Sequence, residues 1–334
     1  MSDNKQHRTR DLGFDSVRAL ACLLVVLMHS PMPSSHANSL SLSTISYLTS
    51  PCIGLFFMVS GALLLPVRTG MFAFLKHRFI KIVIPLLTWT LIYLILKIYD
   101  SESEINIVRS ICSIPFTPQG HGVLWFLYTI AGLYLMAPVI SPWLEKCDRR
   151  EIEFALVLWA ITLCYPLIKL FAEIQNSPTG ILYYFAGYGG YFLLGYYIRR
   201  FDTLKRPFII GFLTFVSLLI PAIIKATGIE VDFYEMFWYL SIFVVILCIA
   251  YYYLAYRIKP NHLVCSISRY SFGIYLSHIL IMRSFLWRIP IIENISPYPL
   301  QTAVVFVLTV ILSFLFCAIL ARIPKARYII GIAN

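Results

Sequence analysis

The chain has 334 residues, of which 59% are hydrophobic and 13% charged, with a net charge of +11 and a mean hydropathy of +0.78. Those values exclude a soluble globular domain of this length and point to an integral membrane protein. The basic excess follows the loops between apolar runs, as membrane topology requires, so it implies no nucleic-acid partner.

A bilayer core needs about 20 mostly apolar residues per helical span. Ten stretches of the chain predict one span each: 12–29, 47–65, 79–98, 122–140, 154–172, 181–198, 207–225, 236–254, 270–287 and 300–320. Residues 1–11, MSDNKQHRTRD, lack the apolar region and cleavage site of a secretory signal, so they read as an unprocessed cytoplasmic tail and the first helix as permanent. With the N-terminus inside, the inner segments hold Lys5, Arg8 and Arg10; Arg68, Lys76, Arg78 and Lys81; Lys146, Arg149 and Arg150; Arg199, Arg200, Lys205 and Arg206; Arg257, Lys259 and Arg269; and Arg322, Lys325 and Arg327. These are 20 of the 27 Lys and Arg, an alternation that a miscounted span would scramble. No repeat, low-complexity tract or long linker divides 12–334. The expectation is an all-α integral membrane protein, a polytopic bundle of about ten transmembrane helices with both termini cytoplasmic and 12–334 as one domain.

The first span, FDSVRALACLLVVLMHS, carries Arg18 and His29 in otherwise apolar sequence. Eleven residues make about three helical turns plus 20°, so the two share a face about 16 Å apart along the axis, with Asp15 and Cys22 on the same stripe. That stripe is expected to wall a passage through the bundle. The plainer reading makes Arg18 a snorkelling anchor paired to Asp15 and His29 an interfacial histidine.

Carboxylates are absent from the middle of every span, which weighs against a proton-coupled transporter, since such relays commonly use intramembrane Asp or Glu. Arg18, His29 and His278 are the titratable groups left at depth, a set suited to an anionic ligand and a histidine that handles protons or acyl groups. His278 lies about eight residues into its span and is as readily structural as catalytic. His121 and Trp125 begin the fourth span, where interface anchoring precedes sugar stacking as the reading for Trp. Gly189, Gly190 and Gly195 suggest close helix packing, and Pro85, Pro138 and Pro166 suggest kinks. The eight cysteines are scattered with no metal-ligand spacing, and no metal is implied.

In combination these segments resemble the acyltransferase-3 family of membrane O-acyltransferases. RALACLLVVLMH resembles the family's Arg and His in the first span, separated by ten residues. GLFFMVSGALLL, FLKHRFIKIVIP, VLWFLYTIAGLYLMAP, GGYFLLGYYI and SRYSFGIYLSHIL are similar, in order, to its second, third, fourth, sixth and ninth spans. Ala19 stands where many relatives have Gly, and a Ser-Val-Glu-Glu loop found in one branch is absent, so no catalytic glutamate carries over from it. The chain has no appended esterase-like domain, so transfer is expected within the bundle, as in stand-alone members that acetylate surface glycans.

The resemblance implies an acyl-CoA-dependent O-acyltransferase of the inner (plasma) membrane, with acetyl-CoA as donor substrate rather than permanent cofactor. The acceptor is then a hydroxyl of a cell-surface or lipid-linked glycan. Arg78 and Lys81, one helical step of three apart, are expected at the donor's phosphates, with Arg18 deeper on the same route. His29 acts either as general base, worth about 10²–10⁴-fold, or as acyl acceptor. Glu235 is the outer carboxylate nominated to orient the ring. The competing classes are a transporter of glycan or small molecule and a membrane sensor module.

Overall fold

The computed structural model describes residues 11–32, 39–100, 106–118, 122–172, 178–203, 205–228 and 231–332. It is helical, with no strand among the described residues. The helices are α1 (Leu12–His29), α2 (Ser39–Thr49), α3 (Pro51–Leu64), α4 (Met71–Asp100), α5 (Ile107–Ser113), α6 (Trp125–Lys146), α7 (Arg149–Leu163), α8 (Tyr165–Ile168), α9 (Gly189–Phe201), α10 (Pro207–Thr227), α11 (Phe233–Met236), α12 (Ile242–Arg257), α13 (His262–Ser284), α14 (Pro290–Glu293) and α15 (Tyr298–Arg322).

Each of the ten predicted spans falls on one or more of these helices. Among the described residues six segments are long and apolar enough to cross a bilayer: α1, the α2–α3 run over Leu42–Leu64, α4 over Met71–Tyr99, α6, α10 over Pro207–Ile224, and α15. Four predicted spans take other forms. The fifth ends as a helix at Leu163, and Pro166 opens the separate turn α8 rather than kinking a continuous rod, because a proline lacks the N–H that would continue the ladder. The sixth begins only at Gly189: Gly187 before it has φ +94°, outside helical geometry. The eighth starts at Ile242, after an aromatic loop. The ninth starts early, at His262, where the Asn261 side chain accepts a hydrogen bond from the Val264 backbone N–H.

Pro85 lies inside α4 and Pro138 inside α6, together with Pro142. Both helices run on through their prolines, as membrane helices commonly do.

α1 occupies the centre, packed against α13, α3, α12 and α15. The core around it includes the fully buried Phe57, Tyr191, Phe192 and Tyr252. α10 packs chiefly on α12, receives a hydrogen bond from Tyr47 Oη of α2 at Ser217 O (2.7 Å), and exposes Phe208, Phe212 and Phe215, the arrangement of a helix whose outer face meets hydrocarbon.

The tightest seam joins α3 and α9. A Cβ on Gly61 would lie 1.8 Å from Phe192 O, and one on Gly195 would lie 1.9 Å from Met58 O. Gly190 likewise faces the Trp159 ring, with a Cβ reaching 2.0 Å of it, whereas Gly189 has ordinary room at 3.5 Å from Met136. The predicted packing role therefore holds for Gly190 and Gly195 and is loose at Gly189.

Candidate active site

α1 and α13 run side by side, and the predicted stripe on α1 is the face turned to α13. Asp15, buried, accepts a hydrogen bond from Ser268 Oγ at 2.7 Å. Cys22 donates weakly to Ser271 O at 3.6 Å, and the His29 ring meets the His278 ring edge-on at 5.1 Å between centroids. Arg18 lies 3.8 Å from Asp15, with about a third of its side chain exposed at 32%. The stripe is thus a packed seam rather than an open wall: Cys22 is fully buried between Arg18 and His29.

The open space lies to one side of that seam. A cavity of about 290 Å³ is lined by Arg18 from α1, Phe56 and Ser60 from α3, Arg78, Lys81 and Ile82 from α4, Phe126, Ile130 and Tyr134 from α6, and Ser268, Arg269, Ser271, Phe272 and Tyr275 from α13, with Gly331 beyond α15. The α13 residues at 268, 271, 272 and 275 fall at the three- and four-residue spacing of a single helix face. Serines at 268 and 271 leave the room that larger side chains would fill. Four cations, Arg18, Arg78, Lys81 and Arg269, line this space without a carboxylate among the lining residues, so the potential inside favours an anion.

Sequence reasoning brought Arg78, Lys81 and Arg18 to the same site and missed Arg269, which it counted as a loop cation. The missing signal was the start of α13: from Asn261 onward the helix carries Arg269 two turns deep.

Inward from the cations the cavity ends on aromatic rings. Phe126 meets Phe56 at 5.7 Å and Tyr275 at 5.3 Å. Tyr275 in turn lies 5.8 Å from the His278 ring. His278 is sixteen residues into α13 rather than the expected eight, because the helix starts at His262; it therefore stands level with His29 instead of at mid-depth.

Both imidazoles are held by carbonyls of their own helices. His29 Nδ1 is 2.9 Å from Val25 O, and His278 Nδ1 is 2.5 Å from Tyr275 O. A carbonyl only accepts, so in each neutral ring Nδ1 carries the proton and Nε2 keeps the lone pair. His278 Nε2 is buried and has no hydrogen-bond partner among the described residues. The result is a pair of adjacent rings whose Nε2 atoms carry no proton, His29 half-buried and His278 fully buried.

The other nominated residues lie elsewhere. Trp125 stands within an aromatic cluster, 5.1 Å from Tyr188 and 5.6 Å from Tyr239. Tyr239 Oη reaches Met28 Sδ at 3.1 Å, which ties this cluster to the residue preceding His29. Glu235 forms an ion pair with Lys169 and is about half exposed at 45%. The orienting group for His29 is the Val25 carbonyl. His121 lies outside the described residues.

The cations of that lining, Arg18, Arg78, Lys81 and Arg269, come from the first turns of α1, α4 and α13. Those are ends that the alternation of basic residues assigns to one side of the membrane, and the fold gathers them at one end of the bundle. Neither a curated protein nor a solved structure matches this chain. A family described as an acyltransferase domain matches residues 11–321, nearly the whole length. With its apolar helices and its cation-lined cavity beneath two histidines, the chain belongs to the acyltransferase-3 family of membrane acyltransferases.

Proposed function

We propose that this acyltransferase moves an acetyl group from acetyl-CoA to a hydroxyl of a cell-surface or lipid-linked glycan, from the inner (plasma) membrane. The observation that carries the reading is the adjacency of the four-cation cavity to the His29–His278 pair: Tyr275 lines the cavity and its ring lies 5.8 Å from the His278 ring on its other side. Arg18, Arg78, Lys81 and Arg269 provide charge-assisted hydrogen bonds for the donor's anionic portion, and the apolar and aromatic upper wall suits its uncharged arm. An arm rising from these cations carries the thioester toward His29.

Two routes use the same nitrogen. As general base, His29 Nε2 takes the proton of the acceptor hydroxyl while its oxygen attacks the thioester carbonyl; the C–S bond breaks and the thiolate recovers the proton. As nucleophile, Nε2 attacks the carbonyl first and expels the thiolate, then yields the acetyl group to the hydroxyl oxygen, whose proton passes to the thiolate as the ring returns to its neutral form. In both, the Val25 carbonyl holds the ring and the proton on Nδ1. On the acceptor side the Trp125–Tyr188–Tyr239 cluster offers flat faces for a sugar ring.

The test is incorporation of labelled acetyl from acetyl-CoA into membrane glycan. His29→Ala should insert normally, retain acetyl-CoA binding and lose about 10²–10⁴-fold of transfer. Transfer by His29→Ala at the wild-type rate would overturn the role of the histidine, and no labelled glycan from the wild type would overturn the reaction.

A further inference from the structure

A second and larger cavity adjoins the first. It measures about 530 Å³ and is lined by the segment from Leu63 to Thr69, by Phe74 and Arg78 of α4, by Leu144 and Glu145 of α6, and by Tyr196, Arg199 and Arg200 of α9. Arg78 belongs to both cavities. Its guanidinium lies 6.0 Å over the Phe74 ring of the larger one, and Phe74 meets Tyr134 of the smaller one edge-on at 6.4 Å. The two spaces are therefore neighbours across one arginine.

The larger cavity is strongly basic: Arg68, Arg78, Arg199 and Arg200 face a single carboxylate, Glu145. Two of these arginines are already held in place. Arg199 Nη1 donates to Ala62 O at 2.5 Å, with its guanidinium 5.5 Å over Phe14. Arg200 Nη1 donates to Leu144 O at 2.7 Å and to Tyr196 Oη, with its guanidinium 5.4 Å over Phe201. Capping the final carbonyls of α3 and α6 explains why a cation is there. It does not explain Arg68 or the open volume beside the capped ends. A guanidinium has five N–H donors in a planar fork, so a capping arginine keeps donors for a phosphate, and its fixed plane lowers the ordering cost of binding one.

We propose that this cavity is the subsite for the 3′-phosphorylated nucleotide end of the donor, with Arg68, Arg199 and Arg200 on its phosphate groups and Arg78 at the junction with the arm. The proposal rests on the reading of acyl-CoA as donor. Coenzyme A carries a diphosphate and a separate 3′-phosphate at one end of a long uncharged arm. The structure offers a wide arginine-rich space that shares Arg78 with a narrower one lined by the aromatic rings of Phe126 and Tyr275. The nucleotide end fills the first and the arm the second.

The test is equilibrium binding of acetyl-CoA, 3′-dephospho-acetyl-CoA and S-acetylpantetheine to the purified full-length protein. Arg68→Gln is the probe, because Arg68 is exposed in the α3–α4 connection, and Arg68→Lys keeps the charge. The wild type should prefer acetyl-CoA over the dephospho form by about tenfold, the worth of charge-assisted hydrogen bonds. Arg68→Gln should lose that preference and leave S-acetylpantetheine binding unchanged, and Arg68→Lys should recover part of it. Equal wild-type affinity for the two nucleotides, or equal weakening of all three ligands in Arg68→Gln, would overturn the subsite. Unchanged acetyl-CoA affinity in Arg68→Gln, with reduced retention of phosphatidylglycerol, would assign the cavity to a lipid headgroup and overturn it as well. Failure of the wild type to bind either acetyl-CoA or S-acetylpantetheine would remove the donor reading itself and this proposal with it.

Discussion

Gly195→Ala is expected to be among the most damaging single-methyl additions in the chain. The new Cβ would stand 1.9 Å from Met58 O, 2.5 Å from Met58 C and 2.6 Å from its Cα, where ordinary contact begins at 3.4 Å. All three obstacles are main chain, so no rotamer change relieves them, and α9 must move away from α3. Overpacking of this kind costs about 1–3 kcal/mol, occasionally more, and the backbone obstruction here argues for the upper part of that range. The displaced helix also carries Arg199 and Arg200, which hold Ala62 O and Leu144 O, so the movement reaches the basic cavity. Gly132→Ala is the control: it adds the same methyl where nothing lies within 4 Å of the Cβ, and helix propensity alone would favour it by up to about 1 kcal/mol. Thermal unfolding in one detergent should show Gly195→Ala falling by about 5 °C or more, scaled from about 2–4 °C per kcal/mol in shorter chains, with Gly132→Ala at or above wild type. Equal melting of the two variants would refute the argument that this seam is set by glycine.

Ser268→Ala removes the 2.7 Å donor to the buried Asp15 and should cost about 1–3 kcal/mol, the range for hydrogen bonds to charged groups and for stranded buried ones; chemical denaturation against wild type measures it. Arg18→Lys keeps the charge beside Asp15 but loses the planar fork, so the donor KM should rise about tenfold, and Arg18→Ala should lose more in both turnover and yield of folded protein; saturation curves with acetyl-CoA decide this. Glu235→Gln should leave acetyl transfer unchanged and alter stability by less than about 1 kcal/mol, because its partner Lys169 is reached at a half-exposed surface; lost transfer would restore it to the site. A reporter fused after Asn334 should be active in the cytoplasm, as the alternation of basic loops requires; activity only outside the cell would reject the orientation.

Composition and the spacing of apolar runs were enough to recognise a helical membrane protein, because a bilayer tolerates few charges over about 20 residues and leaves that constraint in the order of residues. The shared face of Arg18 and His29 was equally legible, since helical periodicity depends on local geometry alone. So was the side of Arg78 and Lys81, three residues apart. Helix boundaries were less so. The sixth span shortens to Gly189–Phe201 after the positive φ of Gly187, and α13 lengthens back to the Asn261 cap; both are decided by a few backbone groups that hydropathy does not register. The lengthened α13 is what carries Arg269 into the cavity and raises His278 to the level of His29. Which residues meet across helices was not in the sequence at all. The Asp15–Ser268, Cys22–Ser271 and His29–His278 contacts join positions about 250 residues apart. Such pairings depend on how the α1 and α13 surfaces interlock, and helix packing in lipid is settled by shape and small residues rather than by any one-dimensional pattern. Tertiary packing likewise buried Cys22 in the middle of the expected passage and opened the space beside it, because a cavity is what the surrounding side chains leave unfilled.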